Sequence, residues 1–151
     1  MANHKIERYQ EAFKSGILRV WERSVLATHN FLTRSDYEEI KELVASIDFK
    51  DFEVYCLTRQ EAVLGFIGIA ENKIEMLFID PECFGQGLGL ELLNFAVKEL
   101  QADQVDVNEQ NSKALRFYQK FGFEVIERTD KDDQGRNYPL LRMKLKPIAS
   151  V

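Results

Sequence analysis

The chain has 151 residues, 45% of them hydrophobic, which is enough for one domain of ordinary size and too few for two. Its formal net charge of −5 argues against nucleic-acid binding, which depends on basic patches. No stretch approaches the roughly 18 apolar residues of a membrane span, and the start lacks the apolar core of a secretory signal. We therefore expect one domain over residues 1–151, located in the cytoplasm and without a membrane partner. Cys56 and Cys83 lack metal-ligand spacing, so we expect two free thiols and no metal.

The first third of the chain predicts one short strand and two helices. Residues 4–9 have the character of a strand. The apolar residues that follow recur at helical spacing: Phe13, Ile17, Val20, Trp21 and Val25. The second helix is predicted to begin at Ser35 as N-cap, with Glu38 completing a capping box. Residues 27–33, between the two helices, show no clear period.

The rest of the chain alternates strands and helices. Segments 52–58, 62–70 and 74–79 are rich in β-branched and aromatic residues and predict an antiparallel meander. A helix over 88–100 then leads to a short strand at 105–107, which a right-handed crossover places parallel to 74–79. A helix over 112–121 ends at Gly122, and segments 123–128 and 138–145 form a hairpin. The pattern predicts an α/β fold in which helices cover a mixed sheet.

The loop between the strand at 74–79 and the next helix carries the chemistry. Gly85, Gly87 and Gly89 alternate with other residues, which lets the backbone approach a ligand and aim several N–H groups at it. The helix that follows adds a partial positive charge. Together these features predict a site for phosphate or pyrophosphate.

Two common phosphate motifs do not match this loop. A P-loop requires Lys followed by Ser or Thr after the last glycine, whereas Leu90 and Glu91 stand there. A dinucleotide-binding fingerprint requires a small residue at the position of Leu90 and usually follows the first strand of a βαβ unit. A nucleotide-binding protein is therefore disfavoured.

Two motifs resemble those of the GNAT superfamily of N-acetyltransferases. The first is Leu77-Phe78-Ile79-Asp80-Pro81 running into Gly85-Gln86-Gly87-Leu88-Gly89, which resembles the family's acetyl-CoA motif. The second is Asn108-Glu109-Gln110-Asn111 with Ala114, Phe117-Tyr118 and Phe121-Gly122-Phe123, in the family's order and spacing. Segments 21–29 and 132–141 further resemble a subgroup of small bacterial GNAT proteins, so the likeness covers nearly the whole chain.

The resemblance implies a fold and a reaction. The GNAT fold is a mixed, mostly antiparallel sheet of about six or seven strands flanked by about four helices. The implied function is an N-acetyltransferase that moves the acetyl group of acetyl-CoA to the amine of a small molecule or amino-acid-like acceptor. Transfer is by direct attack in a ternary complex. Whether the chain forms a homodimer is left open.

The resemblance also implies which residues bind coenzyme A. They are Leu77, Phe78, Ile79, Phe84, Gly85, Gln86, Gly87, Leu88, Gly89, Asn111 and Tyr118. The family usually has Arg or Gln where this chain has Phe84, and that side chain helps to hold the pyrophosphate. Losing a charge-assisted hydrogen bond costs about 1.5–3 kcal/mol, so weakened cofactor binding is expected, with Gln86 as a neutral donor nearby. Asn111 has the alternative role of N-cap to the following helix.

The implied catalytic groups leave one choice open. Tyr118 is the implied general acid for the coenzyme A sulfur, because a phenol with a pKa of about 10 holds its proton at neutral pH. The alternative is that Tyr118 is a half-buried residue of the core. A backbone N–H near Phe78 or Ile79 is the implied oxyanion donor. The general base is either Glu75 on the fourth strand or His29, whose imidazole titrates in the useful range.

The implied acceptor site is bordered by five residues: Trp21, Thr28, His29, Phe31 and Tyr138. Each of the three aromatic residues could equally belong to the core. A second function also fits the sequence, a non-catalytic acyl-CoA-binding module that serves as a regulator or sensor. Phe84 and the unassigned general base keep that alternative open.

Overall fold

The computed structural model describes residues 3–147, which form a seven-stranded sheet and four α-helices. The strands are β1 (Lys5–Arg8), β2 (Glu53–Arg59), β3 (Ala62–Ala70), β4 (Lys73–Ile79), β5 (Gln104–Asn108), β6 (Phe123–Thr129) and β7 (Leu140–Leu145). The helices are α1 (Lys14–Thr28), α2 (Arg34–Ser46), α3 (Leu88–Leu100) and α4 (Ser112–Phe121).

The strands lie in the order β1-β2-β3-β4-β5-β7-β6. Neighbours are antiparallel except β4 and β5, which are parallel. This arrangement confirms the predicted meander, the crossover through a helix and the final hairpin. Together with the four helices, it confirms the expected fold class.

The sheet separates two hydrophobic cores, because alternate side chains of a strand point to opposite faces. Phe66 of β3 and Cys56 of β2 belong to the core beneath α1 and α2. The next residues along those strands, Ile67 and Leu57, belong to the core beneath α3 and α4. All four side chains are fully buried, so the central strands are covered on both faces.

β4 and β5 separate soon after they begin. Within the described residues, their pairing consists of Lys73 with Gln104 and Ile74 with Val105. A register shift in the β3–β4 pairing leaves Glu75 without a partner on β3, which bends β4 at this point. Beyond the bend, β4 continues along β3 and β5 continues along β7. The main-chain groups of β4 that face the resulting gap therefore have no strand partner.

Several element boundaries differ from the prediction by one residue, and two differ by two residues. The N-cap of α2 is Thr33, whose Oγ1 accepts a hydrogen bond from Asp36 N at 3.1 Å, so the assignment of Ser35 was wrong. Ser35 lies in the first turn instead. Strand β7 begins at Leu140, two residues later than predicted. The preceding Pro139 has no N–H to give to a strand ladder.

Candidate active site

Two cavities open where β4 and β5 separate. The first, here called the glycine-loop cleft, has a volume of about 500 Å³ and is lined by the end of α1, which includes Thr28, and by β4, the glycine loop, the start of α3 and one face of α4. The second, the strand-gap pocket, has a volume of about 200 Å³ and is lined mainly by β4 and β5. Six of the described residues line both cavities: His29, Leu77, Phe78, Asn111, Ala114 and Tyr118. Molecules bound in the two cavities would meet at these walls.

Asp80 fixes the start of the glycine loop. Its Oδ1 accepts a hydrogen bond from Glu82 N at 3.0 Å and caps the short 3-10 turn Pro81–Cys83. Its own N–H donates to Leu64 O of β3 at 2.8 Å. The guanidinium group of Arg23 on α1 forms ion pairs with the carboxylates of Asp80, at 3.2 Å, and of Glu82, at 3.3 Å. The loop is thus tied to α1 and β3 before its glycines begin.

The glycines leave main-chain donors exposed at the start of α3. Gly85 and Gly87 both have a φ of 78°, a left-handed conformation that glycine adopts without strain. A Cβ built on either would meet no atom within 4 Å, so the loop lies open. Glu91 N donates the first bond of α3, to Gly87 O at 3.0 Å, which leaves the amides of residues 88–90 without a helical partner. These donors and the helix dipole suit a phosphate group.

Phe84 lies on the rim of the glycine-loop cleft, where 45% of its surface is exposed. Gln86 is in the loop but does not line the cleft. Of the described residues that line the cleft, only Lys113, at the start of α4, carries a formal charge at neutral pH. The cleft therefore combines amide donors, a helix N-terminus, one ammonium group and an apolar inner wall. This set of groups fits coenzyme A, which has a pyrophosphate and a long, weakly polar arm.

Tyr118 is 6% exposed and lies at the junction of the two cavities. Its ring packs edge-on against Phe117, at 5.1 Å, and Phe123, at 5.6 Å. Burial raises the pKa of the Tyr118 phenol above its usual value, so the hydroxyl stays protonated at neutral pH. Tyr118 is thus a buried residue of the core that also lines both cavities.

Asn111 caps α4 and also lies in the walls of both cavities. Its Oδ1 accepts a hydrogen bond from Ala114 N at 3.2 Å, which makes it the N-cap of α4. The same residue lines both cavities. Because the cap uses the carbonyl oxygen, the amide NH₂ group of the side chain is left to donate elsewhere.

His29 ends α1 and reaches the same junction. Its N–H donates to Val25 O at 2.8 Å, and its ring lies 5.2 Å from the Phe31 ring and 6.5 Å from the Phe78 ring. Burial lowers the pKa of the imidazole to about 4, so the ring titrates below the range expected from the sequence and is neutral at neutral pH. The hydroxyl of Thr28 donates to Ser24 O at 2.8 Å and lies 2.7 Å from His29 Nδ1.

Two carboxylates line the strand-gap pocket. Asp106 is neutralised by Lys73 Nζ and Arg142 Nη1, each 2.6 Å from its Oδ2. Glu75, at the bend of β4, forms no ion pair with any described residue. Burial raises the pKa of Glu75, and the nearby Lys73 partly opposes that rise. Glu75 is therefore the carboxylate of this pocket that remains available to a cation.

The three aromatic residues that the sequence assigned to an acceptor site line neither of the two cavities. Trp21 is buried, stacks on Tyr37 at 6.0 Å and lines neither cavity, so the structure assigns it to the core. Tyr138 is also buried, and its hydroxyl donates to Asp36 at 2.5 Å and accepts from Thr33 N at 3.1 Å. Phe31 packs between His29 and Tyr138. Tyr138 and Phe31 thereby stabilise the segment that carries His29.

The sequence reasoning missed several lining residues, of which Lys113 and Ser24 matter most. Lys113 follows Asn111 by two positions at the start of a helix, where a lysine usually indicates a solvated surface. Ser24 lies one helical turn before Thr28, on the face of α1 that reaches the cleft. That spacing is the one signal in the sequence that could have revealed it.

Other chemistry receives no support from the residues that the structure describes. Burial raises the pKa of Cys56 to about 12 and also raises that of Cys83, so both thiols stay protonated at neutral pH. Within residues 3–147, no three His, Cys, Asp or Glu side chains converge as metal ligands. Over the same residues, no helix is both long and apolar enough to cross a membrane.

Known proteins are similar to this chain in sequence and in fold. The model of the Acetyltransferase (GNAT) domain family matches residues 20–147. Over 143 residues the chain is 37% identical to the peptidyl-lysine N-acetyltransferase YjaB of Salmonella typhimurium, covering 95% of this chain and 97% of that one. The solution structure of apo-form YjaB from Escherichia coli matches with a TM-score of 0.85 at 33% identity, covering 94% and 97% of the two chains.

A more distant solved structure shares the fold. It is the PaiA N-acetyltransferase of Thermoplasma acidophilum in complex with coenzyme A, with a TM-score of 0.69 at 21% identity. The match covers 94% of this chain and 99% of that one.

Proposed function

Because the chain belongs to the GNAT family of acetyltransferases, we propose that it transfers the acetyl group of acetyl-CoA to a primary amine at the end of an aliphatic chain, such as a lysine side chain. Family membership confirms the sequence-based prediction of a GNAT-type acyltransferase. The acceptor and the roles of individual residues are the new part of the proposal.

The observation that carries the proposal is the set of residues shared by the two cavities. His29, Phe78 and Tyr118 line both the glycine-loop cleft and the strand-gap pocket. An acyl donor in the cleft and an amine in the pocket are thereby brought together, which removes much of the entropy cost of a two-substrate reaction.

The glycine-loop cleft is the donor site in this proposal. The amides of residues 85–90 and the start of α3 bind the pyrophosphate, and Lys113 adds a positive charge. The main-chain groups of Leu77 and Ile79, which face the gap beside β4, bind the pantetheine arm. When bound, acetyl-CoA supplies the acetyl group as a thioester. The structure of the fold-related PaiA N-acetyltransferase is a complex with coenzyme A, which supports the assignment of this cleft as the donor site.

The strand-gap pocket is the acceptor site. Its volume of about 200 Å³ suits a narrow aliphatic chain rather than a bulky ring system. Met76 and Val107 contribute apolar surface, and the unpaired carboxylate of Glu75 attracts an ammonium group. The name of the Salmonella typhimurium relative, a peptidyl-lysine N-acetyltransferase, supports lysine as the acceptor. A free small-molecule amine, which the sequence predicted, is the alternative that the experiment must separate.

His29 and Tyr118 carry the two proton transfers. The bound ammonium group first loses one proton to solvent and becomes a neutral amine. His29 is neutral, so one ring nitrogen has a lone pair that accepts a further proton from this amine as its bond to the acetyl carbon forms. Tyr118 donates its phenolic proton to the sulfur as the carbon–sulfur bond breaks. A main-chain N–H near Phe78 or Ile79 stabilises the negative charge on the carbonyl oxygen between these events. The proton on His29 and the one lost by Tyr118 then exchange with solvent, which restores both residues.

The test is an acetylation assay with a graded acceptor panel. The protein is incubated with acetyl-CoA and, separately, with a lysine peptide, Nα-acetyl-lysine, free lysine and a diamine, and mass spectrometry locates the acetyl group. A matched peptide with arginine in place of lysine is the control. Faster turnover of the peptide and of Nα-acetyl-lysine than of free amines supports the proposal. Turnover of free amines alone would favour the small-molecule alternative.

A non-catalytic sensor of acyl-CoA is the second candidate. Phe84 favours it, because the side chain that usually helps to hold the pyrophosphate is missing in this chain. Tight binding of acetyl-CoA with no turnover of any amine in the panel would replace the enzyme proposal with this one.

A further inference from the structure

We propose that Thr28 is a positioning residue that holds the hydrogen of the neutral His29 ring on Nδ1 and so leaves Nε2 as the nitrogen that accepts a proton. This inference rests on the proposed function, because it concerns the same amine acetylation. The sequence predicted that Thr28 borders the acceptor site, whereas this inference gives it the role of fixing the tautomer of His29.

The hydrogen-bond geometry permits one assignment. Thr28 Oγ1 lies 2.8 Å from Ser24 O and 2.7 Å from His29 Nδ1. A backbone carbonyl can only accept, so the single hydroxyl hydrogen must point to Ser24. Thr28 Oγ1 is then the acceptor in its contact with His29, and Nδ1 must carry the hydrogen. In a neutral imidazole, the other nitrogen, Nε2, is then bare.

The position of Thr28 at the end of α1 makes this arrangement stable. A threonine hydroxyl in a helix commonly bonds to the carbonyl four residues earlier, which here is Ser24 O. The side chain is β-branched and has few rotamers, so the oxygen is held in place. Because His29 is the next residue and its own N–H bonds to Val25 O, the backbone presents Nδ1 to that oxygen.

Packing around His29 restricts the ring further. Phe31 and Phe78 flank the imidazole, with ring centroids at 5.2 Å and 6.5 Å. Phe31 in turn packs on Tyr138, whose hydroxyl is fixed by Asp36 and Thr33. A ring flip that exchanged Nδ1 and Nε2 would have to displace these aromatic neighbours. The tautomer and the ring orientation are therefore set together.

The consequence for the reaction is a defined proton path. The bare Nε2 accepts the amine proton, so an amine N–H bond breaks and an Nε2–H bond forms while the positive charge passes to the ring. The opposite tautomer would present an N–H donor to the amine and could not accept its proton. Fixing the hydrogen on Nδ1 therefore keeps His29 in the form that can serve as base.

The tautomer can be measured directly by NMR. The chain has two histidines, His4 and His29, so a His4→Gln variant assigns the ring signals. Long-range proton–nitrogen correlation spectra of the ¹⁵N-labelled protein distinguish a protonated from a bare ring nitrogen. We expect His29 with the hydrogen on Nδ1 in the parent protein. Thr28→Val, which keeps the side-chain shape, should shift the population towards the Nε2–H form, whereas Thr28→Ser should retain Nδ1–H.

Kinetics then tests the role of that tautomer. Thr28→Val should lower kcat about tenfold, with the Kd for acetyl-CoA unchanged, and Thr28→Ser should recover most of the loss. Thr129→Val removes a hydroxyl that donates to Lys131 O and lines neither cavity, and it serves as the matched control. An Nε2–H ring in the parent protein, or a Thr28→Val variant with unaltered spectrum and kcat, would overturn the inference. The NMR result does not depend on turnover, so a lack of acetylation would count against the proposed function alone.

Discussion

Arg23 on α1 and Asp80 at the start of the glycine loop form an ion pair, with Arg23 Nε 3.2 Å from Asp80 Oδ2. Helix α1 also ends at Thr28, and its C-cap residue His29 lies at the junction of the two cavities. One helix therefore holds the loop proposed to bind phosphate and carries the proposed base. The separation between these two parts of the site is set by a rigid element rather than by flexible loops.

Asp80→Ala should destabilise the protein and weaken binding of coenzyme A. Asp80 is buried, caps the turn at Pro81–Cys83 and pairs with Arg23, so we expect the free energy of unfolding to fall by about 1–2 kcal/mol. Asp80→Asn keeps an oxygen for the cap and should lose less. Urea unfolding and calorimetric titration with coenzyme A measure the two effects. Equal stability of the alanine variant and the parent would show that the cap contributes nothing.

Lys113 and Phe84 should have opposite effects on cofactor affinity. Lys113→Gln removes the formal charge of the cleft, so the Kd for coenzyme A should rise about tenfold. Phe84→Arg adds a charge at the rim and should lower the Kd by a similar factor. Lys120→Gln, on the same helix but outside the cleft lining, is the control. Pantetheine, which lacks phosphates, should bind all variants alike, and a change in its Kd would argue against contact with phosphate.

Tyr118→Phe should lower kcat about a hundredfold and leave the Kd for coenzyme A unchanged, because it removes a proton donor and preserves the ring. The ring packing against Phe117 and Phe123 should hold the fold intact. Tyr55→Phe, on β2, is the control, because it removes a phenol hydroxyl that lies outside both cavities. Full turnover by the Tyr118 variant would remove this residue from the mechanism.

His29→Gln and Glu75→Gln should affect different kinetic constants. Loss of the base should lower kcat, whereas loss of the carboxylate that attracts the ammonium group should raise the KM for the acceptor. Steady-state kinetics with saturating acetyl-CoA separates the two. Glu124→Gln, an exposed change on β6, is the control. A larger fall in kcat for the Glu75 variant would assign the base to Glu75 instead.

The burial of His29 should make stability depend on pH. Its pKa falls from 6.5 to about 4 on folding, so the unfolded chain binds the proton more tightly than the folded one. The stabilisation is complete above pH 6.5 and declines as the pH falls towards 4, by about 2 kcal/mol at pH 5. His29→Gln should remove this part of the decline. Urea unfolding of both proteins at about pH 7.5 and pH 5 gives the comparison, and equal losses would mean that the imidazole is not buried in neutral form.

The sequence predicted the strands and helices well because their periodicity reports burial directly. In the last strand, Leu141 and Met143 are buried and Lys144 is exposed, as their alternation predicted. The error at the start of α2 arose because two capping patterns overlap, one from Ser35 to Glu38 and one from Thr33 to Asp36. Tyr138, more than a hundred residues away, accepts the hydrogen bond of Thr33 N and supports the second pattern. A local pattern cannot contain that contact.

The candidate site was predictable where it depends on local chemistry and not where it depends on packing. The glycine loop and Tyr118 carry recognisable motifs, and the structure brings them to one cleft. Trp21 has the same helical spacing whether it lines a pocket or stacks on Tyr37, and the stacking depends on how α1 meets α2. The contact between Thr28 and His29 depends likewise on side-chain rotamers, which no spacing specifies.

The narrow junction between β4 and β5 has a consequence for the stability of the whole sheet. Within the described residues, two residue pairs join these strands, aided by Asn72 O, which accepts from Asp103 N at 2.9 Å. A sheet opens most easily where its pairing is shortest, so β1 to β4 and β5 to β7 should exchange their amide hydrogens as two cooperative units. A ligand that filled the strand-gap pocket would contact β4 of one unit and β5 of the other and hold them together. Binding would then slow amide exchange in β7, a strand that lines neither cavity.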